Sequence, residues 1–206
     1  MIPVTLQPEP DGFDEHVRLK GHAWLQKIGI ALDTEPPTTT KLKEYWRKFN
    51  YQLWEAYSGV CAYLAIYFEY GTGASSTDHF IAKSRNAGAA YEWSNYRLSC
   101  LAANRNKNRY DDILDPVALQ ENTFFINFSS GEVYSNPALP PDIRTAAEKS
   151  IRRLRLNALV YCKMRVSHYE YYQNGDCSLV YLRRNSPFVC MEIERQGLQR
   201  EIHDRS

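Results

Sequence analysis

Hydrophobic and polar positions along the first half of the chain predict a helix and short strands. Residues 1–20 contain three prolines and many polar side chains, which predicts an extended arm. Apolar side chains recur every three or four residues between Leu42 and Tyr57, which predicts a helix. The apolar run 60–70 is typical of a buried strand, or of a turn followed by a strand, and periodicity alone does not separate the two. Residues 78–81 predict a further short strand.

The second half of the chain predicts a hairpin and several helices. Residues 93–103 have the pattern of a helix, and 123–128 with 132–134 predict a β-hairpin. Apolar steps of three and four residues between Ile143 and Ala158 predict a helix. A break near Leu156-Asn157 would instead divide two helices, because asparagine is a favoured N-cap. The predicted fold class is α+β, with a small ββα element in the middle framed by helices.

Composition restricts the class of protein. The chain has 206 residues, of which 44% are hydrophobic and 24% charged, which are values of an ordinary globular protein. We expect one compact unit with an N-terminal arm and helix (1–57), a central core (58–110), and a hairpin followed by a helical region (111–206). The net charge is only +1, so a surface for nucleic acid must come from local clustering of basic residues.

Several sequence features predict a cytoplasmic protein. The chain lacks an apolar run of 18 residues, so we expect no membrane-spanning helix and no membrane partner. Its first ten residues lack the basic and apolar regions of a signal peptide. The five cysteines are odd in number and scattered, unlike the disulfide framework of a small secreted protein. We therefore expect free thiols.

The stretch from Asp78 to Lys107 carries the chemistry. Neighbouring side chains on an extended backbone point to opposite sides, so Asp78 can face a metal ion while His79 faces a water molecule. Histidine has an ordinary pKa of about 6.5 and can act as a base near neutral pH. Asn104 supplies a second, neutral oxygen. One carboxylate and one amide suit Mg²⁺ or Mn²⁺, because such ions keep several waters and bind substrate phosphate.

Four basic residues surround these groups in the sequence. They are suited to contacts with the phosphates of a nucleic acid: Lys83, Arg97, Arg105 and Lys107.

The pattern of this stretch resembles the HNH, or ββα-metal, endonuclease family. Asp78-His79 matches the first element of the motif, Asn95 in Trp-Ser-Asn the second, and Asn104 in Asn-Arg-Asn-Lys the third. The resemblance implies that His79 is the general base and that Asn95 orients the loop that holds it. It also implies that Asp78 and Asn104 bind one divalent ion. Asn108 lies where some members have a further ligand.

Less specific sequence features extend the resemblance over most of the chain. These features are the proline-rich start, the segment after Cys61, the Glu-Trp-Ser-Asn-Tyr run and the hairpin after Asp115-Pro116. They are similar to the HNH subunit of Septu-type and retron-associated antiphage defence systems. That resemblance implies an effector nuclease that cuts DNA or RNA and acts with an ABC-type ATPase.

The cysteines depart from the pattern of many relatives. Those relatives hold a structural zinc with two Cys-x-x-Cys pairs, whereas here the pairs read Cys61-Ala-Tyr-Leu64 and Cys100-Leu-Ala-Ala103. Two thiolates cannot complete a tetrahedral site, which needs four ligands. We therefore expect no structural zinc, and we expect Leu64 and Ala103 to pack in its place.

Two questions stay open at this level. Residues 144–165 contain seven lysines or arginines and one acid, which fits a solvated helix face as well as a surface for phosphate or an acidic partner. The alternative to a nuclease is an inert HNH-derived module that binds nucleic acid or a partner protein. A third possibility is a subunit that is active only in complex with the ATPase.

Overall fold

The computed structural model describes residues 1–200 and has an α+β fold. Within these residues the α-helices are α1 (Leu19–Lys27), α2 (Asn50–Ala56), α3 (Leu101–Lys107), α4 (Pro141–Arg153), α5 (Leu159–Asn174), α6 (Leu179–Asn185) and α7 (Pro187–Arg195). The strands are β1 (Ser75–His79), β2 (Tyr96–Cys100), β3 (Phe124–Asn127) and β4 (Glu132–Ser135). They form two antiparallel pairs, β1 with β2 and β3 with β4. Residues 201–206, the end of the predicted helical region, lie outside the described residues.

The first strand pair and the helix after it form the centre of the molecule. Asp78 pairs with Arg97 and His79 with Tyr96 across the β1–β2 ladder. Helix α3 begins directly after β2 and contacts both strands. Loop 80–95 therefore begins directly after His79 and ends directly before Tyr96, the residue that pairs with His79.

Two hydrophobic clusters lie on either side of this centre. The N-terminal cluster contains buried residues from 13–57 and 87–98, including Phe13, Trp46 and Leu53. The C-terminal cluster combines Met1 and residues 61–65 with buried side chains between Ala103 and Ile193. Both clusters take residues from more than one of the three predicted segments, because the central segment supplies side chains to each.

Several elements are confirmed. The helix predicted between Leu42 and Tyr57 is present as a 3-10 turn, Tyr45–Phe49, followed by α2. The hairpin is present as β3 and β4, paired from Phe124↔Ser135 to Asn127↔Glu132. The C-terminal periodicity divides into α4 and α5, and Pro187 is the first residue of α7.

The start of α5 differs from the predicted capping pattern. Asn157 does not cap α5. Instead its amide bonds the backbone of Val133 on β4, accepting from the N–H at 2.8 Å and donating to the carbonyl at 2.9 Å.

Two predictions of local structure are wrong, and for 60–70 only the turn of the second alternative is present. The extended arm ends early, because Asp14–Arg18 forms a π-helical turn that continues into α1. The run 60–70 is a buried turn with one isolated bridge between Val60 and Tyr67, and Ala65 has a left-handed φ of 50°. Residues 93–103 are a 3-10 turn, strand β2 and the start of α3. Pairing with β1, distant in sequence, overrides the local helical pattern there.

The described residues contain no helix that combines the length and the apolar character needed to cross a membrane.

Candidate active site

His79 lies at the end of β1 with its imidazole buried between aromatic rings. Its ring centroid is 4.6 Å from that of Trp46 and 5.1 Å from that of Tyr96. Nε2 lies 3.1 Å from the carbonyl oxygen of Ala90, which also accepts a hydrogen bond from Tyr96 Oη. Because a carbonyl oxygen only accepts, Nε2 carries the proton, and the neutral ring has its lone pair on Nδ1.

The surroundings keep His79 neutral. Burial, helped by the positive charge of Lys83, lowers the pKa of its imidazole to about 3. At neutral pH the ring is thus in the form that can accept a proton, but a pKa this low makes it a weaker base than an ordinary histidine.

Asp78 points to the other side of the strand and is also buried. Its Oδ2 accepts a hydrogen bond from Tyr63 Oη and lies 3.4 Å from Lys107 Nζ. Burial raises the pKa of the Asp78 carboxyl, and Lys107 and Tyr63 oppose that rise. Among residues 1–200, none donates a hydrogen bond to Oδ1, so that oxygen can accept a further ligand.

Asn104 lies on α3 beside the same face of β1. Its Nδ2 donates to Ser76 Oγ at 2.6 Å, and Ser76 shares a face with Asp78 because the two are two residues apart on a strand. The donating side of the amide is thus occupied, while none of the described residues bonds its Oδ1. Asn108 ends α3 with a φ of 49° and lines the same cavity as Asp78 and Asn104.

Asn95 ties together the loop between β1 and β2. Its Oδ1 accepts from Ile81 N at 2.7 Å, and its Nδ2 donates to the carbonyls of Ile81 and Ala89 at 3.0 and 2.9 Å. These bonds fix both ends of the loop that carries the Ala90 carbonyl. The contacts agree with the positioning role that the resemblance implies for Asn95.

Two of the predicted phosphate-binding residues are buried in structural contacts. Lys107 Nζ donates to the carbonyls of His79 and Phe80 at 2.6 and 2.8 Å. Arg97 donates to Asp115 from Nε and Nη2, and to the carbonyls of Ser94 and Tyr96 from Nη1. The N–H groups of Lys107 and Arg97 thus bond backbone carbonyls and Asp115 near the site. The structure therefore favours a structural role for both residues over the predicted contact with phosphate.

The other two predicted phosphate-binding residues are accessible. Lys83 is half-exposed, with Nζ 5.1 Å from the Trp46 ring centroid and 3.9 Å from Glu44 Oε1. Arg105 is exposed on α3, one residue after Asn104.

Two neighbouring cavities give access to these groups. One, of about 220 Å³, is lined by Asp78, His79, Lys83, Asn104 and Asn108, among others. The other, of about 440 Å³, shares His79, Lys83 and Asn104 with the first. The imidazole, the carboxylate and the amide therefore all border the smaller cavity.

The cysteine pairs lie in the C-terminal cluster. Cys61, Leu64 and Ala103 are buried members of that cluster, and Cys100 packs against it. Leu64 and Ala103 are thus buried in the same cluster as Cys61. Within residues 1–200, histidine, cysteine and acidic side chains do not gather in any group of three that would hold a metal ion. This leaves the proposed Asp78 and Asn104 pair, which has one carboxylate and one amide.

Sequence reasoning missed several residues that build the site. Tyr63 bonds Asp78, Trp46 packs on His79, Asp115 pairs with Arg97, and the Ala90 carbonyl fixes the tautomer of His79. None of them carries a local signal, because each acts through a contact made only in the folded chain.

Comparison with known proteins adds no relative to this picture. No protein-family model matches the chain, and no curated protein matches it significantly.

Proposed function

We propose that this protein is a metal-dependent endonuclease of the HNH type that hydrolyses phosphodiester bonds in nucleic acid. The observation that carries the proposal is the state of His79. Its Nε2 is engaged by the Ala90 carbonyl, which leaves the lone pair on Nδ1, and His79 borders the same cavity as Asp78 and Asn104. Two antiparallel strands followed by a helix support these residues, in the order that the ββα-metal motif has.

The donor set at the site fits a hard divalent cation. Asp78 Oδ1 and Asn104 Oδ1 are both without a hydrogen bond among the described residues and belong to side chains that border one cavity. Oxygen donors in this small number suit Mg²⁺ or Mn²⁺. When bound, such an ion would offset charge on the scissile phosphate and the leaving oxygen.

Side chains of the protein have the remaining roles in this proposed reaction. His79 Nδ1 takes a proton from the attacking water. Asn95 and Lys107 keep His79 in place through the loop and the strand backbone. Lys83, half-exposed at the mouth of both cavities, is placed to contact a phosphate that flanks the reacting one.

Replacing His79 tests the proposal. Wild type and His79→Ala are incubated with labelled duplex DNA, single-stranded DNA and structured RNA, with Mg²⁺, Mn²⁺ or EDTA. We expect metal-dependent cleavage of at least one substrate and a loss of about 10²–10⁴-fold in the variant, as is usual for removal of a general base. His16→Ala, at a half-exposed histidine, is the matched control and should cut like wild type.

The same experiment separates the alternatives. Near-normal cleavage by folded His79→Ala would overturn the assignment of the base. Absence of cleavage by wild type under all conditions, including co-expression with an ABC-type ATPase, would favour the inert binding module. Cleavage only with the ATPase would support the role of effector subunit in an antiphage complex, which rests on the sequence resemblance.

A further inference from the structure

Four exposed arginines lie at or just beyond the ends of α3 and α4, near the candidate active site. Arg105 lies in the last turn of α3 and Arg109 two residues after its end, while Arg152 lies in the last turn of α4 and Arg155 two residues after its end. Arg109 itself lines the 220 Å³ cavity together with Asp78 and His79. We call these four residues the arginine track.

Direct contacts hold the two helix ends together. Asn106 Nδ2, between Arg105 and Arg109 in sequence, donates to the carbonyl of Leu154 at 3.2 Å. Leu154 lies between Arg152 and Arg155. Just after α3, the Tyr110 ring stacks under the guanidinium of Arg153, with Cζ 3.9 Å from the ring centroid. The track therefore spans two helix ends that are in contact, and its Arg109 lines the cavity.

The charges around the track are not balanced. Nearby cations have acidic partners: Arg85 lies 3.1 Å from Asp111, and Lys149 and Arg153 lie 3.4 and 3.5 Å from Asp112. Within residues 1–200, by contrast, no carboxylate lies within ion-pair distance of the four arginines of the track. An unneutralised group of one sign is the electrostatic feature of a polyanion-binding surface.

The backbone geometry at the end of α4 fixes the position of Arg155. Leu156 N donates to Ile151 O at 3.0 Å and Arg155 N to Arg152 O at 3.2 Å, so α4 ends in a Schellman motif. Arg155 occupies its left-handed position, with a φ of 53°, where glycine is usual.

We propose that the arginine track binds the phosphodiester backbone of the nucleic acid whose scissile phosphate enters the cavity. This inference rests on the proposed function. Helix α3 has seven residues and is about 10 Å long, a length over which one strand of a duplex presents about three phosphates. Nucleic acid is favoured over an acidic protein because Arg109 of the track lines the same cavity as Asp78 and His79.

Charge reversal tests the track. Binding of wild type and Arg152→Glu/Arg155→Glu to a labelled duplex of about 30 base pairs and to single-stranded RNA of similar length is measured by fluorescence anisotropy. EDTA is present so that no cleavage occurs. The control, Lys20→Glu/Arg184→Glu, changes the net charge equally at exposed residues of α1 and α6. Arg152→Gln/Arg155→Gln removes the charges without introducing repulsion, and circular dichroism confirms that each variant is folded.

The salt dependence gives the expected result. Loss of two phosphate contacts should make the slope of log K against log salt shallower by about 1.8 for duplex DNA. The gain in affinity on lowering salt from 200 to 50 mM should then fall about 12-fold. The control should keep the wild-type slope. A slope in both track variants equal to that of the control would overturn the proposal. So would binding of a polyglutamate peptide at the track while nucleic acid binding stays unchanged.

Failure of the track and failure of the nuclease are distinguishable. Salt-dependent binding that is weakened in the track variants, without cleavage in any metal, would overturn the nuclease and keep the track. Metal-dependent cleavage that needs His79, with an unchanged salt slope in the track variants, would overturn the arginine track and keep the nuclease.

Discussion

At the scale of single residues, His79 couples the chemistry of the site to the stability of the fold. Its imidazole is buried and neutral, with a pKa of about 3, whereas a histidine in the unfolded chain has a pKa of about 6.5. Below pH 6.5 the unfolded state binds a proton that the folded state does not. Stability therefore falls as the pH decreases from about 6.5 toward 3.

His79→Gln should weaken this dependence, because glutamine does not titrate. At pH 5 the free energy of unfolding of wild type should have lost about 2 kcal/mol relative to neutral pH through His79 alone. Urea unfolding at several pH values measures the difference between wild type and variant, with His16→Gln as control. Parallel pH profiles for wild type and His79→Gln would contradict the buried neutral state.

At the scale of elements, one lysine connects α3 to β1. The ammonium group of Lys107 is fully buried, bonds the carbonyls of His79 and Phe80 and lies 3.4 Å from Asp78. Burial lowers its pKa, and Asp78 opposes that effect. The ammonium satisfies polar groups that the apolar surroundings would otherwise leave without partners.

Lys107→Met should therefore destabilise the protein although it keeps much of the side-chain volume. We expect a loss of about 3–5 kcal/mol, the usual cost when one partner of a buried ion pair is removed. Arg105→Met on the exposed side of the same helix should change stability by no more than about 0.5 kcal/mol. Chemical denaturation measures both, and equal stability of the two variants would show that Lys107 is not required for the packing of α3.

At the scale of the whole molecule, the adjacent residues Asp78 and His79 of β1 contact different hydrophobic clusters. His79 packs against Trp46 and Tyr96 of the N-terminal cluster, while Asp78 bonds Tyr63 of the C-terminal cluster. Because the β1–β2–α3 unit contributes to both clusters, we expect them to unfold together.

The tryptophans make this expectation measurable. All four lie in or against the N-terminal cluster: Trp24, Trp46, Trp54 and Trp93. Leu156, fully buried in the C-terminal cluster, is the residue to change. Leu156→Ala should cost about 2–5 kcal/mol and shift the fluorescence transition as much as the circular dichroism transition. The control, Leu53→Ala in the N-terminal cluster, should also shift both. A fluorescence midpoint unmoved by Leu156→Ala would show two independent units.

The sequence alone predicted the elements whose signals are local. The hairpin, the division between α4 and α5 and the helix before residue 57 follow from turn residues and from steps of three and four, which act between near neighbours. The residues Asp78, His79, Asn95 and Asn104 were also identifiable, because their type and order carry the resemblance.

Only the tertiary structure decided the state of those residues. The tautomer of His79 depends on a carbonyl 11 residues away, and the burial of Lys107 on a strand 28 residues away. The strand β2 formed where a helix was predicted because its backbone groups pair with β1. Arg97 does not offer its guanidinium to a phosphate in the way that was predicted, because Asp115 and two backbone carbonyls accept its hydrogen bonds. Local pattern determines which groups a segment offers, whereas distant contacts determine which of those groups stay free to react.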